Sequence, residues 1–92
     1  MTYSLSHKFV RNNFQIVFHV DGSNEVVIIT PLDKVGIDVF MEELVEFFED
    51  NVNESTNNVE LLYNENEDSV TAFVEYEDDT DESKELYFED FT

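Results

Sequence analysis

The reactive side chains of this sequence are overwhelmingly carboxylates, gathered in two dense groups. The first lies in Ile37 to Val52, IDVFMEELVEFFEDNV, and comprises Asp38, Glu42, Glu43, Glu46, Glu49 and Asp50. The second is the run Glu75, Glu77, Asp78, Asp79, Asp81 and Glu82, which continues into Glu85, Glu89 and Asp90. Carboxylates in such numbers suit three kinds of chemistry: acid/base hydrolysis, cation binding, and presentation of negative charge to a basic partner.

Hydrolysis by a carboxylate pair depends on a fixed separation between two acids. Acids are so dense here that some pair meets any spacing by accident, and no cleft-building loop is evident, so no catalytic residue is assigned. The chain has no Cys, which removes disulfides and thiolate metal sites. His7 and His19 stand near the chain start, away from most of the acids, and no HExxH pair occurs. Asp79-Thr80-Asp81-Glu82-Ser83 spaces its oxygens like the start of an EF-hand loop, but Lys84 stands where that loop needs Gly and Asp90 where it needs Glu. Weak, nonspecific divalent binding is the most this run supports, and no cofactor is expected. Presentation of charge remains.

On a helical wheel of about 100° per residue, Ile37, Phe40, Met41, Leu44, Val45, Phe47 and Phe48 fall on one side and the six acids of the first group on the other. Only Val39 lands in the acidic arc, and that arc carries no cation. Glu–Lys pairs four residues apart stabilise a helix, whereas like charges at that spacing destabilise it. Asp38, Glu42 and Glu46 nevertheless follow one another at steps of about 6 Å along the axis.

Residues 1–36 hold three acids and three bases, whereas residues 37–92 hold twenty acids and Lys84 alone. The entire net charge of −19 therefore belongs to the last 56 residues. A salt-adapted surface would be acidic throughout, so this asymmetry speaks against that explanation. Such a surface repels DNA, RNA and anionic membranes, and its natural partner is a basic protein. B-DNA carries one negative charge per roughly 1.7 Å of axis and draws basic proteins by counterion release. A rigid carboxylate array at about 6 Å steps can present a comparable field.

The ninety-two residues, 41% of them apolar, make one domain, 1–92. No apolar run approaches the roughly 20 residues that span a bilayer, and no signal-peptide core is present, so a soluble cytoplasmic protein is expected. Tyr3, Leu5, His7 and Phe9 alternate like a short edge strand, although Leu5, Phe9 and Asn12 also fit a short helix. Asn13 to Val20 is a clearer strand, Asp21-Gly22 a type I′ hairpin turn, and Glu25 to Thr30 the return strand ended by Pro31. Asp33 or Asp38 caps the helix. NVNESTNN reads as a loop, Val59 to Tyr63 and Ser69 to Tyr76 as strands, residues 77–82 as a polyanionic linker, and ELYFEDFT as a docked short strand or helical turn. The pattern predicts an α+β domain: a small antiparallel sheet of four or five strands with one amphipathic acidic helix packed on one face. Val39, Phe73 and the C-terminal aromatics are left over as candidates for a dimer contact.

Size, charge, the helix IDVFMEELVEFFEDNV and the run EYEDDTDESKELYFEDF together resemble the DNA-mimic anti-restriction proteins of phages, most of all the Arn family of T-even phages. The resemblance covers the whole chain. It implies a noncatalytic homodimer that imitates duplex DNA and blocks the DNA-binding surface of a basic host protein, in the cytoplasm of the infected bacterial cell. The implied targets are a restriction endonuclease of the McrBC type or a histone-like nucleoid protein of the H-NS type. The fifteen acids named in the two groups would stand in for phosphates. The alternative from another class is an acidic protein-interaction module that binds through exposed apolar and aromatic surface.

Overall fold

Tight turns decide where this chain reverses. Arg11 and Asn12 adopt φ of 52° and 71°, the paired positive values of a two-residue type I′ turn. Strand β1 (Tyr3–Val10) therefore pairs with β2 (Asn13–Val20) along its whole length, Val10 opposite Asn13 and Tyr3 opposite Val20. The ambiguous first segment is thus a full strand. Asp21-Gly22 forms a different turn from the expected one: the Ser23 N–H donates to the Val20 carbonyl at 2.9 Å, and Gly22 takes positive φ (83°) while Asp21 does not. That is the type II pattern. Strand β3 (Val26–Thr30) then pairs with β2 from Phe18 opposite Val26 to Phe14 opposite Thr30.

Helix α1 (Lys34–Asn51) begins three residues earlier than expected, because the Asp33 carboxylate accepts the Gly36 N–H at 2.8 Å and caps it there. No helix among the described residues is long and apolar enough to cross a membrane. After α1 the chain turns within Asn53–Ser55, held by Ser55 N–H to Asn53 Oδ1 and Asn53 N–H to Thr56 Oγ1. Strand β4 (Thr56–Asn64) consequently takes in the last three residues of the segment NVNESTNN expected to be loop. A hairpin leads to β5 (Ser69–Tyr76).

The expected linker at residues 77–82 is instead another hairpin. The Asp79 N–H donates to the Tyr76 carbonyl, the Tyr76 N–H to the Thr80 carbonyl, and Asp79 takes φ of 68°. Asp tolerates that left-handed position better than most residues, so β6 (Asp81–Tyr87) starts inside the acidic run. A 3₁₀ turn, Phe88–Phe91, closes the chain, tied down by the Phe88 N–H to the Asp68 carbonyl at 3.1 Å. The structure describes residues 2–92 in this way and is a computed structural model.

The α+β class holds, but one sheet of four or five strands does not form. Two three-stranded antiparallel sheets, β1-β2-β3 and β4-β5-β6, are separated in sequence by α1. Pro31 stops β3 from extending, and the helix that follows occupies the inner faces of both sheets. Phe48 stacks on Phe18 of the first sheet (ring centroids 5.5 Å, planes 14° apart) and meets Tyr3 at 5.3 Å. Phe40 meets Phe88 and Phe91 at 5.2 and 4.9 Å. One core results, joining Ile16, Phe18 and Ile28 to Val59, Leu61, Val70, Ala72 and Val74 through the helix. Leu86 and Phe88 are buried in it and Phe91 packs against it, so these C-terminal side chains are core rather than spare surface. Val45, expected on the apolar face, lies at its exposed margin.

Gly36 sits where α1 meets the closing turn, and a Cβ there would strike the Phe91 carbonyl oxygen. In an ordinary helix interior Gly to Ala is stabilising by about 1 kcal/mol. Here Gly36→Ala is expected to lower the Tm in far-UV circular dichroism melts, since the 3₁₀ turn must lift off the helix.

Candidate functional site

The charge asymmetry of the sequence becomes a division of the folded body. The segment that builds the first sheet, up to the cap residue, carries Asp21, Glu25 and Asp33 against Lys8 and Arg11. The other twenty acids sit on α1, on the second sheet or in the turns of both.

On α1, Glu42, Glu46, Glu49 and Asp50 are exposed and Glu43 is half-buried. Asp38 is exposed too, but the Lys34 ammonium donates to both its oxygens at 2.7 and 2.8 Å, and His7 Nε2 lies 3.8 Å from Oδ1. The earlier helix start thus puts one cation on a face expected to have none, and Asp38 is partly neutralised. Among the described residues this is the only Lys–carboxylate ion pair. The remaining charges run against the helix dipole: no acid occupies the first turn and no base the last, where Glu49 and Asp50 stand. Each such placement costs a few tenths of a kcal/mol or more at a helix end. Helix stability alone does not favour this arrangement.

The second group is carried by the second sheet. Glu75 pairs with Asp81, and strand alternation puts Glu75, Asp81 and Glu85 on one face together with Glu60. Val70, Ala72 and Val74 of β5 point the other way, into the core against α1. Glu82, opposite Val74, is on the helix side, so of the second acidic group Glu75, Asp81 and Glu85 lie on the side of the second sheet away from α1, and the two groups are joined around its ends. At one end the Glu77–Asp79 turn is fastened to the end of α1 by Tyr76 Oη to the Asn51 carbonyl (2.6 Å) and by the Glu77 N–H to the Ser55 carbonyl (2.9 Å). At the other end Glu89 and Asp90 ride on the 3₁₀ turn packed against the start of α1. Glu65, Glu67 and Asp68 of the β4–β5 turn are beside them, through the Asp68–Phe88 bond. These three, with Glu54 and Glu60, complete the acidic shell. Glu65, Glu67 and Asp68 fall within four residues as a short acidic run, whereas Glu54 and Glu60 stand apart with no period or run to mark them.

Two carboxylates are held in place by hydroxyl donors. Glu85 Oε2 accepts from Ser69 Oγ (2.7 Å) and Asn64 Nδ2 (3.0 Å), and Oε1 from Tyr87 Oη (2.7 Å). These bonds, that from Ser69 foremost, hold the Glu85 carboxyl below its ordinary range, and the same pairing pushes the Tyr87 hydroxyl up. Asp78 is likewise lowered by the hydroxyl and N–H of Thr80, at 2.6 and 3.1 Å. Both acids stay ionised in defined positions. Along Asp79 to Ser83 the chain passes from turn into strand and throws alternate side chains to opposite faces, so the EF-hand-like oxygens do not converge. Among the described residues no group of three or more His, Asp or Glu side chains forms a metal-binding set.

Because the folded Glu85 carboxyl lies below its ordinary value of 4.5, the stability it contributes is complete above that pH and lost as pH falls through the lower folded value. Ser69→Ala is expected to raise the Glu85 pKa towards 4.5, read by NMR titration of the side-chain carboxyl carbon. The chain matches no protein-family model, no curated protein and no solved structure.

Proposed function

We propose that the protein is a noncatalytic DNA mimic that occupies the DNA-binding surface of a basic host protein. The observation that carries this reading is the row Glu42, Glu46 and Glu49 on a helix anchored by its other face to two sheets. Charge on a rigid element keeps its spacing, as phosphates on a duplex do, whereas a floppy acidic tail would not. The body measures 41 × 25 × 23 Å, and its long axis equals the rise of about twelve base pairs at 3.4 Å each. The pinned carboxylates Glu85 and Asp78 extend the array beyond the helix. The resemblance to phage anti-restriction proteins makes a restriction endonuclease of the McrBC type, or a nucleoid protein of the H-NS type, the target to try first. It also makes the cytoplasm of an infected bacterium the setting.

The same proposal includes a homodimer. Two acidic halves repel, but the first sheet is nearly neutral and exposes Val27 (46%) and Ile29 (61%) on its outer face. A second copy approaching there buries apolar surface without bringing like charges together. The rival module binding through exposed apolar and aromatic surface would have to use side chains such as Phe9, Leu62 and Tyr63, since Phe88 is in the core.

Replacing Glu42, Glu46 and Glu49 together by Gln is expected to weaken displacement of labelled duplex from the target by about tenfold, at roughly 0.5 kcal/mol per charge pair. The fold should remain intact or become steadier. Wild-type competition should fall steeply with salt, and equal competition by the triple variant removes the helix face from the mimic surface. Sedimentation should show a dimer that Ile29→Lys converts to a monomer; a wild-type monomer at micromolar concentration ends the dimer proposal.

A further inference from the structure

Strand β6 is the last of its sheet and pairs with β5 alone. The bond from Tyr76 N–H to the Thr80 carbonyl sets the alternation of that pairing. Counting along the register, Glu82, Lys84 and Leu86 turn their backbone groups towards β5, while Asp81, Ser83 and Glu85 turn theirs away. An open edge of this kind is a template for an added strand. Beside the far end of β6 lies a groove of about 590 Å³ between the strand, the 3₁₀ turn and α1. Val35, Val39, Leu86 and Phe91 line it with apolar surface, and Glu43 and Asp90 with acid.

Charge selects what can pair there. Asp81, Glu82 and Glu85 outnumber Lys84 on β6, so a second β6 brings net like charge to this edge, which disfavours self-association there. A strand bearing lysine or arginine meets those three acids with opposite charge and a single like charge, Lys84. Such side chains are also carbon stems under a charged head, which suits a groove that is apolar along its walls and acidic beside them.

We infer that β6 is a strand-addition site, which takes an extended lysine- or arginine-bearing segment of the protein partner as a fourth strand of the second sheet, with one basic side chain in the α1 groove. The inference rests on the reading that the partner is a basic protein, and adds that backbone hydrogen bonds as well as charge hold it.

The test uses the intact protein and an end-blocked peptide alternating arginine and threonine, with a second version methylated on the backbone nitrogens of one edge. The unmethylated peptide is expected to slow amide exchange at Asp81, Ser83 and Glu85, and methylation to weaken binding by about tenfold or more. Ser83→Pro, which removes only an outward N–H on an edge strand, is expected to cost a similar factor while the circular dichroism spectrum is unchanged. Equal affinity of the two peptides for the wild-type protein, or shifts confined to α1, overturns the inference, and this comparison stands even where Ser83→Pro fails to fold. Failure of mimicry shows instead in duplex competition, which the peptide series does not involve.

Discussion

One apolar stripe on α1 holds the molecule together, and the placement of every acid depends on it. Neither three-stranded sheet is large enough to bury its inner face unaided, since small antiparallel sheets need a helix or a second sheet for cover. Phe48 closes the first sheet and Phe40 the end of the second, so a single helix covers both. Burial of large aromatic side chains contributes roughly 1.5–3 kcal/mol each, enough to offset many like-charge contacts of a few tenths each. The stripe thereby lets the opposite face of the same helix carry unpaired carboxylates without unfolding.

That balance gives the electrostatics their geometry. Glu49 and Asp50 at the negative end of the helix dipole, and Lys34 at the positive end, are the reverse of what helix stability favours. Among the described residues only Asp38 is relieved by a cation. On the second sheet the carboxylates are not merely repelled outward: Ser69, Asn64 and Tyr87 hold Glu85, and Thr80 holds Asp78. Organised anions meet a cationic partner with less loss of side-chain freedom than loose ones. The near-neutral first sheet is free of this repulsion.

The helix was legible because its two faces differ so sharply in polarity at the helical period, from Ile37 to Phe48. Strand β2 was legible because Phe14, Ile16, Phe18 and Val20 alternate. The start of α1 was misplaced because a cap is a local hydrogen bond, here Asp33 to Gly36, and two Asp residues were eligible. Strand β4 extends beyond Val59–Tyr63, and β6 begins inside the segment expected to be a linker, because exposed strand positions tolerate Asn, Asp and Glu once a neighbouring strand supplies the pairing. The turn at Arg11-Asn12 carries no glycine and so gave little signal, yet it settles the first hairpin.

Composition and periodicity by themselves determined the class, the single helix, the charge asymmetry and the absence of thiol chemistry, because these depend on residue type and local spacing alone. Tertiary structure decided that the strands divide into two sheets, that Phe88 and Phe91 pack into the core, and that Glu75, Asp81 and Glu85 lie on the side of the second sheet away from α1. It also decided that Asp38 is paired and that β6 is an open edge. Each of these depends on which distant segments meet, as Phe40 meets Phe88 and Phe48 meets Phe18, and contacts between distant segments leave no period in the chain.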